Sequence, residues 1–390
     1  MTTATDTPAS GPQTGSRDVT TAAVFRGVEV GLSIEQVTLE PLLPSEVRLR
    51  IAACGACHSD VHKLRGHGLV PAPNVFGHEI SGVVTAVGGD VKAIAVGDRV
   101  VCSFLVPCGS CAACRRGDED ECGPFRSHMQ NAGTRFNGSP RMRTLDGQPL
   151  RTSGVGGLAR EITLPATAVF PLPAAWPTSV PLSDAAVLGC AGLTAYGAVH
   201  EAAKLQPGES VLVLGGGGVG LCTAALSRHA GARHVVGTDM KPEAREALIA
   251  FGASAAIAPN AADFTEQTEA AFDGRRPDVV FDTIGVPETL RQAMAHVAVG
   301  GRVVVTGLGG TNGPAAIDDL TVFVRRKISL IGSYAAVPSR DMPRLLEDVA
   351  AGALNPSQLV SARYQFTQAA KAYEDVAAGR VTGRALILGS

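Results

Sequence analysis

The sequence predicts an α/β chain made of a β-rich domain and a doubly wound parallel sheet. Three observations predict it. The chain has 390 residues, enough for two domains at a soft prior of ~150 residues each. Its first half carries short valine-rich runs punctuated by Pro and Gly. From Ser210 onward, apolar strand-like runs alternate with helical stretches, and the first of these runs ends in a glycine-rich turn.

The composition narrows the function. Hydrophobic residues make up 45% of the chain and charged residues 18%, an ordinary globular balance. A net charge of −2 and only 4% aromatics argue against nucleic acid as a partner. No apolar run is long enough to span a membrane. The opening residues lack the apolar core of a secretory signal, and 1–20 read as a disordered polar tail. The nine cysteines are odd in number and four are clustered. In the cytoplasm, the expected location, such clusters bind metal more often than they form disulfides.

In chain order, Thr21 to Val30 and Val47 to Ala53 read as strands, followed by Ile80 to Gly88 and Gly97 to Phe104. Between them lies CGACHSDVHKLRGHGLVPAPNVFGHE, which holds Cys57 and His78. Thiolate sulfur and imidazole nitrogen are preferred Zn²⁺ ligands. Two protein ligands do not hold zinc firmly, and Cys190 in LGCAGLTAYGA is the candidate third. Three ligands leave one position open for water or substrate, as catalytic zinc requires. Taken alone, a cysteine is more often a small buried hydrophobe. Ser59 and His62, two and five residues after Cys57, stand where a hydroxyl and an imidazole could carry a proton to solvent.

Cys108, Cys111, Cys114 and Cys122 are spaced C-x2-C-x2-C-x7-C. Four thiolates close a tetrahedron with no open position, so this site is expected to be structural. An iron–sulfur cluster is the rival for four cysteines; the neighbouring Cys57/His78 pattern favours zinc. The segment from Gly123 to Arg160, with Arg126, Arg135, Arg141, Arg143 and Arg151, reads as a solvated loop. Leu182 to Ala203 reads as a helix with Cys190 in its middle.

Val211 to Gly215 reads as a buried strand, and Leu221 to His229 as the helix after it. Gly215, Gly217 and Gly220 form G-x-G-x-x-G between them, with Gly218 and Val219 inside the motif. The first glycine permits the turn, the second lets a pyrophosphate approach the backbone, and the third packs helix on strand. The helix N-terminus then faces the phosphates. Asp239, at the end of the next strand, is placed to accept from ribose hydroxyls and to repel a 2′-phosphate, which favours NAD. Lys241 beside it pulls the other way, and Asp239 could instead serve only as a turn or helix-cap residue. Four more strand-like runs bring the sheet to six strands. Helices near Met342 to Ala351 and Gln368 to Ala378 and a final RALILG strand complete the chain.

Taken together, GACHSDVH, GHE, CGSCAACRRGDEDEC, GCAGLTAYGA and GGGGVG resemble, in that order, the zinc-dependent medium-chain alcohol dehydrogenases. The resemblance covers nearly all of the chain after about residue 22. It implies a GroES-like catalytic domain at 21–191 and 335–390, with the cysteine lobe near 108–122, and a Rossmann NAD-binding domain at 192–334. It implies two zinc ions per chain, a catalytic one on Cys57, His78 and Cys190 and a structural one on the four clustered cysteines. Ser59 and His62 match the proton relay, Glu79 the carboxylate near the metal, and Asp60 the residue that orients the ligand histidine. His58 and Arg384 match positions that meet the cofactor pyrophosphate. Phe104 matches a residue lining the substrate channel, which His67 and Gly68 border.

The implied activity is hydride transfer between a primary or secondary alcohol and NAD, giving an aldehyde or ketone. Gly68 and the serine at Ser59 both suggest a wide pocket for bulky or aromatic alcohols. A thiol-adduct formaldehyde dehydrogenase and a non-catalytic zinc- and NAD-binding protein are the alternatives. The segment 123–160 resembles the insertion of the family's longer members, which are commonly dimers. A homodimer is therefore expected, with a tetramer as the alternative.

Overall fold

The computed structural model describes residues 18–67, 71–309 and 314–389. Most of the expected tail, residues 1–17, and Gly68 with its pocket-widening role lie outside the described residues. Val19 and Thr20, read with the tail, instead open the first strand, Val19–Phe25.

The β-rich domain holds two sheets. A five-stranded sheet begins with the antiparallel pair Val19–Phe25 and Leu32–Leu39. A seven-stranded sheet centres on the long strand Glu46–Ala56, paired antiparallel with Glu79–Val87 on one side and with the last strand, Arg384–Leu388, on the other. The last strand thus lies in the same sheet as Glu46–Ala56. This pairing places Glu79 opposite Gly55 and Ala385 opposite Ala56, next to the helix His58–Leu64.

The second sheet system is parallel and six-stranded. Its order is Ala255–Ile257, His234–Thr238, Ser210–Leu214, Val279–Asp282, Arg302–Val305, Ser329–Gly332. This is the doubly wound order, in which the chain reverses direction of winding between Ser210–Leu214 and its neighbour Val279–Asp282. Strand Ser210–Leu214 is buried throughout, which explains its unbroken apolar run. The crevice at the carboxyl end of that strand is where such sheets take ligands.

Two expectations need correction. The stretch Leu182 to Ala203 is not one helix. A 3₁₀ segment Asp184–Gly189 gives way to an α-helix Ala191–Tyr196 and then a π-helix Gly197–Ala202. The break falls at Cys190, with φ −131° and ψ −68°, so its side chain leaves the helical path. The segment 123–160 is not a solvated loop. It contains a π-helix Phe125–Ala132, which buries Phe125 and Met129, and the hairpin Met142–Thr144 with Pro149–Leu150. Arg135 forms a buried bidentate pair with Glu46, Nε to Oε1 at 2.8 Å and Nη2 to Oε2 at 2.9 Å. Arg141, 1% exposed, donates to Thr152 Oγ1 and to the carbonyls of Thr152, Gly154 and Val155. Each arginine satisfies acceptors that would otherwise be buried unpaired, at about 1–3 kcal/mol per group. The positive charge that suggested a solvated loop is the charge that staples this segment to the core.

Candidate active site and metal centres

Two clusters of metal-ligating side chains stand in the first domain. In one, single ligand atoms of Cys57, His78, Glu79 and Cys190 all lie within 4.8 Å of one another. In the other, those of Cys108, Cys111, Cys114 and Cys122 do.

The first cluster is assembled by three elements. Cys57 is the N-cap of the helix His58–Leu64. His78 and Glu79 enter the strand Glu79–Val87. Cys190 sits at the helix break described above. Asp60, 1% exposed, faces His78 with Oδ2 at 3.1 Å from Nδ1. Burial alone would push the His78 imidazole down; the Asp60 charge and hydrogen bond outweigh it and take it up to about 10. The same contact keeps Nδ1 a donor and turns Nε2 toward the other ligand atoms, where it can bind a metal once its own proton leaves. The adjoining Cys190, against the effect of burial, holds the Cys57 thiol well below its usual range, while Cys190 itself is raised. Ser59 Oγ stands 3.4 Å from both Cys57 Sγ and His78 Nε2.

Glu79 is fully buried and Gly55 makes room for it, since a Cβ there would lie 2.2 Å from Glu79 Oε2. Its carboxylate accepts from Arg384 Nε at 3.1 and 3.2 Å. Burial pushes the Glu79 carboxyl up, and the Arg384 charge pulls it back.

The second cluster matches the shape zinc needs. Its sulfurs are 4.0 Å (Cys108 to Cys114), 3.6 Å (Cys111 to Cys114) and 4.0 Å (Cys111 to Cys122) apart. A tetrahedron with bonds of ~2.3 Å has edges of ~3.8 Å. A disulfide would need about 2 Å, and all nine cysteines are free.

The glycine-rich turn also fits its expected occupant. Gly215 has φ +100°, and a Cβ on Gly220 would lie 1.8 Å from the Gly215 carbonyl oxygen. Both positions need glycine for the fold itself. A Cβ on Gly217 would meet nothing within 4 Å. That open side lies at the N-terminus of the helix Gly218–His229, where backbone N–H groups can receive a phosphate. Val219 follows in its first turn. Asp239 accepts from Gly216 N at 2.8 Å and Lys241 N at 2.9 Å. It therefore caps the turn, as one reading had it, and is also held at the rim of the glycine cradle. Lys241 Nζ is engaged by the carbonyl of Gly379.

The remaining candidates sit around these groups. Arg384 packs under the cradle, its Cζ 2.6 Å from a Cβ built on Gly218. Burial and the Arg384 charge lower the His58 imidazole. His62 and His67 are paired at the surface, Nδ1 to Nδ1 at 3.3 Å. Phe104 stands edge-on to His78, with ring centroids 6.0 Å apart. Three neighbours escaped the sequence reading. Tyr334 meets Phe104 at 5.7 Å and 90°, and its hydroxyl lies 3.5 Å from Gln130 Nε2. Tyr373 reaches Asp60 from the last helix. None of the three belongs to a local motif, so nothing near them in the sequence marked them.

Comparison with known proteins gives a consistent answer. Residues 43–174 match the alcohol dehydrogenase GroES-like domain, and 218–351 match the zinc-binding dehydrogenase domain. The chain is 33% identical over 362 residues to geraniol dehydrogenase of Castellaniella defragrans, spanning 89% of this chain and 92% of that protein. It is 30% identical over 372 residues to the NDMA-dependent alcohol dehydrogenase of Amycolatopsis methanolica, spanning 93% and 96%. An alcohol dehydrogenase zinc-binding domain protein from Burkholderia ambifaria superposes with a TM-score of 0.88 at 27% identity, over 96% of this chain and 99% of that one. The chain belongs to the zinc-dependent medium-chain alcohol dehydrogenase family. It is an alcohol dehydrogenase with a GroES-like and a Rossmann domain, using zinc, a nicotinamide cofactor and a small-molecule alcohol. Among the described residues, no helix is long and apolar enough to cross a membrane.

Proposed function

We propose that the protein transfers hydride between a bulky primary or secondary alcohol and NAD, at an open zinc site on Cys57, His78 and Cys190. The observation that carries this reading is the four-atom cluster with Ser59 Oγ at 3.4 Å from two of its ligand atoms. Cys108, Cys111, Cys114 and Cys122 would hold a second, structural zinc. Bound at the open site, zinc would supply the Lewis acidity that lets an alcohol proton leave near neutral pH, and the nicotinamide would supply the hydride acceptor. Ser59 Oγ would accept that proton while releasing its own hydroxyl proton toward His62, on the same helix His58–Leu64, which hands it to solvent. Asp60 orients His78. Glu79, buried beside the ligands and paired with Arg384, supplies a carboxylate within reach of the same centre. The Arg384 guanidinium and His58 lie toward the glycine cradle, where a pyrophosphate would meet them.

The substrate reading rests on the T-shaped aromatic pair Phe104 and Tyr334 beside His78. It forms an aromatic corner suited to an unsaturated or aromatic group. The relative named for geraniol is in keeping with it. His67, expected to border the substrate channel, is turned onto His62.

The preference for NAD rests on Asp239 and on Lys241. The carboxylate would repel a 2′-phosphate, and the ammonium that could offset it is already bound to Gly379. Asp239→Gly should lower the ratio of kcat/KM for NAD over NADP by roughly 10-fold or more, about 1.4 kcal/mol of lost discrimination. A panel of allylic, benzylic and short alcohols assayed with both cofactors tests the reading. A higher kcat/KM for NADP in the wild type would refute it, as would faster turnover of ethanol than of the bulky alcohols.

We also propose a homodimer. Ser329–Gly332 is an edge strand of the parallel sheet, and Leu320, Val324 and Leu330 beside or on it are exposed apolar residues. An unpaired edge with apolar neighbours is a ready surface for a second copy. Sedimentation at the mass of one chain would overturn this. The nine free thiols fit a reducing compartment such as the cytoplasm.

A further inference from the structure

Asp60 is a buried carboxylate, and its partners come from three elements. Oδ2 lies 3.1 Å from His78 Nδ1 and 3.3 Å from the hydroxyl of Tyr373. Oδ1 lies 3.6 Å from Lys63 Nζ. Tyr373 is 4% exposed and belongs to the helix Ala369–Ala377, 313 positions away in sequence. The same two helices meet again where Arg65 Nη2 reaches the carbonyl of Ala377 at 3.5 Å.

Two donors converging on one oxygen restrict rotation of the carboxylate. A carboxylate held only by His78 could turn about its Cβ–Cγ bond and carry the imidazole with it. The phenol O–H, which can only donate toward a carboxylate, gives Oδ2 a second donor and so holds that oxygen against the imidazole N–H. A buried phenol also needs a partner of its own, and Asp60 supplies it.

We propose that Tyr373 is a positioning residue for the open metal site. Its hydroxyl holds the Asp60 carboxylate, and through it the direction of His78 Nε2 toward Cys57 and Cys190. This rests on the reading that these three residues bind zinc. The C-terminal helix would thereby contribute to a site whose ligands all lie in the first half of the chain.

The test is zinc release from the holoenzyme to a chromogenic chelator, with wild type, Tyr373→Phe and Asp60→Asn. Two phases are expected in the wild type, a faster one from the open site and a slower one from the cysteine lobe. Loss of a direct partner of a ligating histidine typically costs 10–100-fold in metal affinity, so a residue one step further out should cost roughly 3–10-fold. Tyr373→Phe keeps the ring and its packing. It should speed the first phase by that factor and leave the second unchanged, with Asp60→Asn faster still. Cobalt placed in the open site should show shifted visible bands in Tyr373→Phe. An unchanged first phase with unchanged cobalt bands would overturn the inference, and so would equal acceleration of both phases. A wild type that releases zinc from the cysteine lobe alone would overturn the reading of the open site, and this inference with it.

Discussion

Cys57→Ser is expected to cut alcohol turnover by at least about 10³-fold and to leave the fold standing. The rate loss corresponds to ~4 kcal/mol of transition-state stabilisation, the scale a Lewis acid supplies. The fold should survive because Cys57 is the N-cap of the short helix His58–Leu64, and serine is a preferred N-cap. The lost sulfur also leaves the hydrophobic cores intact. Cys111→Ser should do the reverse. The five-residue helix at Ala112–Arg116 has no buried residue, so the lobe around it depends on its metal for order. A fall in melting temperature of roughly 5–10 °C should precede any loss of rate in that variant. Thermal melts by circular dichroism beside NADH-coupled kinetics check both. Equal destabilisation by the two substitutions would show that the roles of the two clusters are not divided in this way.

The second large effect is expected at Ser59. Its hydroxyl is 3.4 Å from one sulfur and one imidazole nitrogen of the open site. Ser59→Ala removes that oxygen without adding bulk. A general base acting directly typically contributes 10²–10⁴-fold, and kcat for alcohol oxidation should fall within that range. His62→Gln should cost less, because water can partly replace a group at the surface. Its deficit should grow as pH falls, since solvent hydroxide becomes scarce as an alternative base. Measuring kcat from about pH 6 to 10 for wild type and both variants separates the two. Superimposable profiles for wild type and His62→Gln would remove His62 from the proton path.

Much of this was legible in the sequence where the information is local. The strand His234–Thr238 follows from HVVGT alone, and the glycines at 215, 217 and 220 announce three different spatial needs. The four clustered cysteines carry their own spacing. Legibility failed where a residue's role depends on a distant partner. Arg135 and Arg141 read as solvated charges because Glu46 and the carbonyls of 152–155 are not visible from their neighbours. The helix across Leu182 to Ala203 read as continuous because hydrophobic spacing does not reveal the backbone break at Cys190. Leu32–Leu39 buries only Val37 and Leu39, so its apolar pattern is weak and only the pairing with Val19–Phe25 marks it as a strand. Tyr334, Gln130 and Tyr373 lie outside every motif, and only the fold brings them to the site.

The chemistry is expected to reside at the open cluster of Cys57, His78 and Cys190. The most direct measurement is graded zinc removal from the holoenzyme, following metal content, alcohol-dependent NADH formation and melting temperature together. Two zinc ions per chain are expected at the start. Loss of the first should abolish NADH formation in proportion while the melting temperature holds, and one equivalent of added zinc should restore the rate. Full activity after one zinc per chain has gone, or a protein that holds one zinc or none when metal-replete, would contradict it.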